Sequence, residues 1–188
     1  MISPGDQLIE RARVMAVEMH EAGGQKRSDG EPYWKHPGRV METLRARGAA
    51  PVVLAAAWLH DVPEDCTPDA AGCEAMLQKI SQDFGPEVGS LVREVTNYFG
   101  SEASMEQKQA RLREHARHMS EGAKWIKLAD RLDNISGMKG WPDSKKRRYA
   151  TATVALLDAL RPWPVGSEEI VAAITTNAQR ILLATDKT

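Results

Sequence analysis

The stretch Leu54–Thr67, LAAAWLHDVPEDCT, drives six apolar residues straight into His60-Asp61 and then reaches two further carboxylates, Glu64 and Asp65. A helix this apolar belongs in an interior, and ending it on His-Asp is an odd choice for stability alone. Adjacent helical residues point about 100° apart, so in mid-helix the two side chains would diverge. At a helix end they can meet. Pro63 is expected to supply that end, because it disfavours the α conformation at Val62 and cannot donate a helical hydrogen bond. Glu64 and Asp65 then fall in a turn. Two readings stand on this stretch alone. In one, His60 and Asp61 hold a metal and Glu64 and Asp65 handle its water. In the other, His-Asp is a capping pair and Glu-Asp after proline is ordinary turn chemistry.

Outward from this stretch the chain reads as helices. Ser3 or Asp6 caps a first one, with Leu8, Ile9, Val14, Val17 and Met19 on its apolar side and Gly23-Gly24 at its end. The polar segment QKRSDGEPYWKHP follows. Its Lys26, Arg27 and Ser28 read either as a solvated loop or as a phosphate clamp. His36 precedes Pro37 at the entry of a second helix running to about Gly48. Pro51 opens the helix that ends at His60-Asp61. Thr67-Pro68-Asp69 starts another, ending near Phe84-Gly85, and Pro86 restarts the chain to about Asn97. Tyr98 to Ser104 reads as a loop. A polar helix spans Met105 to Met119; its His115 and His118 have an i, i+3 spacing that could bind metal, but the surrounding Lys, Arg, Gln and Glu favour a solvated face. Gly122 is expected to break it.

The next helix carries Trp125, Ile126, Leu128, Ala129, Leu132 and Ile135 around most of its circumference, so it should be largely buried. Asp130 and Asn134 share one face of it, with Asp133 nearby. A buried carboxylate needs a partner, so Asp130 has either a cation such as Lys127 or a metal. Ser144 is expected to cap a helix carrying Lys145, Lys146, Arg147, Arg148 and Tyr149 and continuing to Leu160. Pro162 and Pro164 separate a last helix, Ser167 to about Leu183. No alternating strand pattern, repeat or linker is evident. The expectation is one all-α domain over residues 1–188, a bundle of about eight or nine helices.

The totals narrow the function. The 188 residues are 42% hydrophobic and 27% charged, with a net charge of −1. That balance gives no general case for nucleic acid or membrane binding. No segment has the roughly 18 consecutive apolar residues of a membrane span, and the N-terminus does not read as a secretory signal. Two cysteines, Cys66 and Cys73, suggest free thiols rather than a disulfide framework. A cytoplasmic protein is the expectation.

His36, His60, Asp61 and Asp130 make a two-histidine, two-carboxylate set. Mixed nitrogen and oxygen donors suit a divalent first-row metal such as Mn, Fe or Zn with open positions. The absence of thiolates argues against a closed structural zinc site. The order H…HD…D is the signature of the HD-domain metal-dependent phosphohydrolases, which this chain resembles. Within them, GEPYWKHP, AAAWLHDVPEDCT, DFGPEVGSLVREVTN and IKLADRLDN resemble the hydrolase domain of the Rel/Spo-type stringent-response enzymes. The resemblance runs from about residue 24 to residue 160 and leaves no room for a synthetase domain. It implies a stand-alone alarmone hydrolase, all-α and Mn²⁺-dependent. Such an enzyme removes the 3′-diphosphate of guanosine 3′,5′-bis(diphosphate), ppGpp, or of pppGpp, releasing pyrophosphate. His36, His60, Asp61 and Asp130 would then be the metal ligands and Glu64 and Asp65 the catalytic carboxylates. Asn134, Lys26, Arg27 and Ser28 would face the nucleotide, with Lys145 and Tyr149 as further contacts.

The chain departs from that pattern in places. Lys26-Arg27 stands where Arg-Lys is usual, Ser136 where many members have Arg, and Asp133 where His is common. Losing a cation and gaining an anion is expected to weaken polyphosphate binding or change its specificity. Two alternatives follow. One is a phosphohydrolase for another phosphorylated nucleotide: an adenosine alarmone, the 2′-phosphate of NADPH or a nucleotide monophosphate. The other is a non-catalytic nucleotide sensor, which would have no need of Glu64-Asp65.

Overall fold

The structure is a computed structural model and describes residues 2–97 and 103–185. The described residues form nine helices of nine or more residues and one single helical turn, with no strand. They are α1 (Pro4–Ala22), α2 (Lys35–Arg45), α3 (Pro51–Leu59), the turn α4 (Val62–Asp65), α5 (Ala70–Phe84) and α6 (Pro86–Val95). After them come α7 (Met105–Ala116), α8 (Glu121–Ser136), α9 (Asp143–Ala159) and α10 (Glu168–Thr185). The all-α expectation holds. The loop expected over Tyr98 to Ser104 lies, from residue 98 to 102, outside the described residues.

Two helices form the centre. Every residue of α3 from Leu54 to Leu59 is buried, and α1, α2, α6 and α8 all pack on it. Helix α8 buries nine of its side chains and is covered by α2, α3, α6, α9 and α10. A helix apolar all round is stable only where neighbours surround it. Helix α2 comes close to α3 because it carries Gly38. A Cβ there would stand 2.9 Å from the Trp58 ring.

The ends follow local chemistry. Ser3 caps α1 by accepting from the Asp6 amide at 3.1 Å, Asp69 caps α5, and Ser104 with Gln107 forms a capping box on α7. Pro51 and Pro86 stand in the first turns of α3 and α6.

Four local expectations are corrected. The buried face of α1 is Ile9, Ala12, Ala16 and His20, while Val14 is exposed. That face recurs every three or four residues, and Val14 falls off it. Gly122 lies inside α8. The chain breaks earlier, where α7 ends at Ala116 and Ser120 caps α8. Ser144 lies inside α9, whose first residue is Asp143. The break after the apolar run falls at His60-Asp61, and Val62–Asp65 is itself a helical turn. Proline is tolerated in a first turn, and full burial of Val62 holds it helical despite Pro63.

Candidate metal centre and nucleotide cavity

Three helices bring the expected ligands together. His36 enters from the first turn of α2, His60 and Asp61 from the end of α3, and Asp130 from the middle of α8. One donor atom each from His36, His60 and Asp130 lies within 4.8 Å of the others, and all three residues are buried. His36 Nε2 is 3.3 Å from Asp130 Oδ1 and 3.4 Å from Asp61 Oδ2. His60 Nε2 is 3.1 Å from Asp61 Oδ1.

The rings are oriented for ligation. His60 Nδ1 donates to the Ala57 carbonyl at 2.8 Å, and His36 Nδ1 donates to Asp133 Oδ2 at 2.7 Å. With the proton on Nδ1, each Nε2 presents a lone pair. Both Nε2 atoms are buried without a hydrogen-bond partner. Buried polar atoms are rarely left so, and two of them facing two carboxylates fit a cation. The charges agree. Burial alone would lower the His36 imidazole, but Asp130, Asp133 and Asp61 carry it well above its ordinary value. Asp61 is held well below the carboxylate range despite burial, through His60 and His36, and Asp130 likewise, chiefly through Lys127. Lys127 Nζ stands 3.3 Å from Asp130 Oδ2 while Oδ1 faces the histidines. Asp130 thus has the cation partner foreseen for it on one oxygen, while its other oxygen faces the candidate metal centre.

The carboxylate pair sits on α4 beside this centre. Glu64 lines a 420 Å³ cavity together with Asp61 and Asp130. Its Oε1 accepts from the Asn97 amide at 2.5 Å. Burial pushes its carboxyl up to about 7 against the pull of Lys127. Asp65 has an exposed outer side, yet the protein around its carboxyl and the charge of Asp61 push it up to about 6.

Residues that sequence reasoning passed over hold this arrangement. Tyr33 donates to Asp61 Oδ2 at 2.9 Å. Gln25 Nε2 donates to the Asp65 carbonyl, while its Oε1 pairs with Nδ1 of buried His20. Tyr33 lies three residues before His36, a proximity that was available as a signal. His20 sits on the buried stripe of α1. Cys66 is 3.4 Å from His20 Nδ1, and burial pushes its thiol up to about 12, so it offers no thiolate.

Beyond Asp61, Glu64 and Asp130 the cavity wall mixes six cations with apolar and aromatic side chains. Lys127 and Arg131 come from α8, Lys145 and Arg148 from α9, and Lys108 and Arg113 from α7. Arg131 is buried, its guanidinium lies 4.6 Å over the Tyr149 ring, and its Nε has no partner. Trp141 meets Tyr149 edge-on at 5.4 Å, with Lys145 Nζ 3.9 Å over its ring. Asn134, Lys145 and Tyr149 line this cavity, whereas Lys26, Arg27 and Ser28 do not. Arg27 lies 3.4 Å from both Asn134 Oδ1 and Asp133 Oδ2, and Ser28 donates to the Lys139 carbonyl at 3.0 Å. Lys26 sits exposed in a loop closed by an isolated bridge to Pro32 and turned at Gly30, whose φ of +89° favours glycine. His115 and His118 form no metal site among the described residues. His115 Nε2 meets the Glu94 carbonyl at 2.6 Å, and His118 is exposed.

Two histidines and two aspartates from three helices, in the chain order H…HD…D, define an HD-type centre. The HD domain profile matches residues 12–161, and the chain belongs to that family. It is similar to guanosine-3′,5′-bis(diphosphate) 3′-pyrophosphohydrolase MESH1 of Xenopus tropicalis, 33% identical over 161 residues, covering 82% of this chain and 85% of that one. GTP pyrophosphokinase rsh of Brucella ovis is 34% identical over 155 residues, 79% of this chain. This chain spans only 19% of the length of that relative. A solved structure, described as a metazoan ortholog of SpoT that hydrolyzes ppGpp and plays a role in starvation responses, superposes with a TM-score of 0.77. Its identity is 29%, and the match covers 93% of this chain and 96% of that one.

Proposed function

We propose that this chain is a metal-dependent phosphohydrolase that removes the 3′-diphosphate of ppGpp or pppGpp and releases pyrophosphate. The observation that carries the reading is one cavity with two chemistries. At one end Asp61, Glu64 and Asp130 line it, with the buried, unpartnered Nε2 atoms of His36 and His60 facing Asp61 and Asp130 from behind, and six cations share the remaining wall with apolar and aromatic side chains. A polyanion with a hydrolysable phosphoryl group is the ligand such a cavity suits. MESH1 carries that activity in its name, and the resemblance runs over most of both chains.

His36, His60, Asp61 and Asp130 would hold a divalent cation, Mn²⁺ in this reading, which supplies Lewis-acid charge at a phosphoryl oxygen and lowers the pKa of a bound water. Glu64 accepts the proton of the attacking water. A carboxyl set near 7 by burial is matched to that task at neutral pH. Water oxygen bonds to the phosphorus on the ribose 3′-oxygen, that P–O bond breaks, and the 3′-oxygen takes up a proton. Asp65 passes protons between Glu64 and solvent. Lys127 and Arg131 take charge on the reacting diphosphate, and Lys108, Arg113, Lys145 and Arg148 hold the 5′-phosphates. Trp141 and Tyr149 offer flat apolar surface to the nucleoside. Among the described residues no helix is long and apolar enough to cross a membrane. Cys66 and Cys73 are free thiols, and a reducing cytoplasm is the compartment we assign.

The test is pyrophosphate release from ppGpp by the Mn²⁺-loaded protein, with Asp61→Ala as control. Metal-dependent release that disappears in the variant is the expected result. One observation favours a second reading, a different phosphorylated nucleotide. Arg27 and Ser28, expected at the nucleotide, are engaged by the protein itself. Silence on ppGpp with pyrophosphate release from pApp, or orthophosphate release from NADPH, would move the substrate to that class.

A further inference from the structure

We propose that Asp133 is a positioning residue for His36, held in place by Arg39 and Arg27, and that this chain's metal affinity depends on it. The inference rests on the metal reading above. Asp133 lies one turn beyond Asp130 on α8, so the two share a face. Its Oδ2 is 2.7 Å from His36 Nδ1. An imidazole that donates from Nδ1 presents a bare Nε2, and that atom faces Asp61 and Asp130.

The two histidines are supported differently. His60 donates to a backbone carbonyl of its own helix, a partner that cannot rotate away. His36 depends on a side chain, which would swing freely unless anchored. The anchors are present. Arg39 Nε stands 2.6 Å from Asp133 Oδ1 and Arg39 Nη2 3.3 Å from Oδ2, a two-pronged grip. Arg39 is fixed in turn by Glu31 Oε2 at 2.8 Å. Arg27 Nη1 lies 3.4 Å from Asp133 Oδ2 and 3.4 Å from Asn134 Oδ1. Asn134 donates to Asp130 Oδ1 at 2.5 Å. Arg27 thus joins the supports of two candidate ligands, His36 and Asp130.

This placement revises the expectation drawn from the sequence. Asp133 is not an anion set against the polyphosphate. It does not line the cavity, and two guanidiniums flank its carboxylate. The residue that departs from the family pattern serves the metal end instead.

The experiment measures Mn²⁺ affinity by the EPR signal of free Mn²⁺ in wild type, D133A, D133N and R39Q. Nitrogen-15 imidazole shifts of the metal-free proteins, recorded at a pH high enough for His36 to be neutral, report its tautomer. Outer partners of metal ligands typically contribute 10- to 100-fold in affinity. D133A is expected to weaken Mn²⁺ binding by about that factor and to lose the Nδ1–H tautomer. D133N keeps an oxygen acceptor and should fall between D133A and wild type, and R39Q should weaken binding severalfold. A D133A protein that binds Mn²⁺ within twofold of wild type, or keeps the tautomer, overturns the inference. Should D133A not fold, D133N and R39Q carry the same two readouts, and wild-type affinity in both overturns it. A wild-type protein that binds no divalent ion overturns the metal reading as well. Unchanged D133A beside a metal-binding wild type overturns this inference alone.

Discussion

The proposed site has two ends, one for the metal and one for the nucleotide, built on different principles. At the metal end His36, His60 and Asp130 are buried, and each has a second partner that fixes its direction: Asp133, the Ala57 carbonyl and Asn134. At the nucleotide end Lys145 and Arg148 are exposed, and Lys145 rests on an aromatic face rather than in a network. Buried donors with fixed partners give geometry but no tolerance. Long exposed cations give attraction and wide tolerance, because their field reaches a ligand from many rotamers. Substitutions should therefore act as a switch at the first end and as a dial at the second.

The sharpest test separates ligands from the proton carrier at the metal end. Asp61→Ala should abolish turnover and metal content together, because it removes an anion that both histidines face. Glu64→Gln keeps an oxygen for the Asn97 amide and removes only the ionisable group. It should leave Mn²⁺ content intact and lower kcat by roughly 10²- to 10⁴-fold, the range for a general base. Metal analysis beside steady-state kinetics reads both. An Asp61→Ala protein that retains metal and turnover would break the switch.

Metal affinity should also depend on pH. Burial disfavours the protonated His36, but three carboxylates outweigh it and raise the group well above its ordinary value. The metal-free ring therefore holds a proton at neutral pH that a cation must displace. Affinity should rise with pH across 6 to 8 and fall by about tenfold per unit of acidification for each proton released. Calorimetry in buffers of different ionisation enthalpy counts that proton. A pH-independent Kd would mean that His36 enters binding already neutral.

The two ends were not equally legible. His36, His60, Asp61 and Asp130 could be chosen because each sits in a short segment whose helix entry, helix end or buried face restricts what the residue can do. The all-α fold followed from helix periodicity for the same reason. The support of His60 is implicit in helix geometry, since Ala57 lies one turn back. The support of His36 comes from a helix 97 positions away in sequence, and Asp133 read as a liability until its neighbours were known. Helix α7 reads as a solvated polar helix, and only its packing on α9 brings Lys108 and Arg113 to the cavity. Pro63 misled in a smaller way, because a bias at one residue was overridden by the burial of Val62.

The smallest effects test whether the dial is set where the cavity places it. Lys145 lines the cavity from α9, and Lys26 lies outside it on an exposed loop, though both read as phosphate contacts in the sequence. Charge-assisted contacts contribute about 1.5–3 kcal/mol when well formed. Solvent weakens exposed ones, so Lys145→Ala should raise KM for the nucleotide by roughly 3- to 10-fold. Its kcat and Mn²⁺ affinity should stay unchanged, and the KM difference should shrink as salt screens the charge. Lys26→Ala should move KM by less than about twofold, since its charge meets the ligand only through solvent. The reverse order, with Lys26→Ala the more damaging, would mean that the loop before α2 moves onto the ligand when nucleotide binds. Arg27 would then have to leave Asp133, and the two ends would be coupled through that one guanidinium rather than independent.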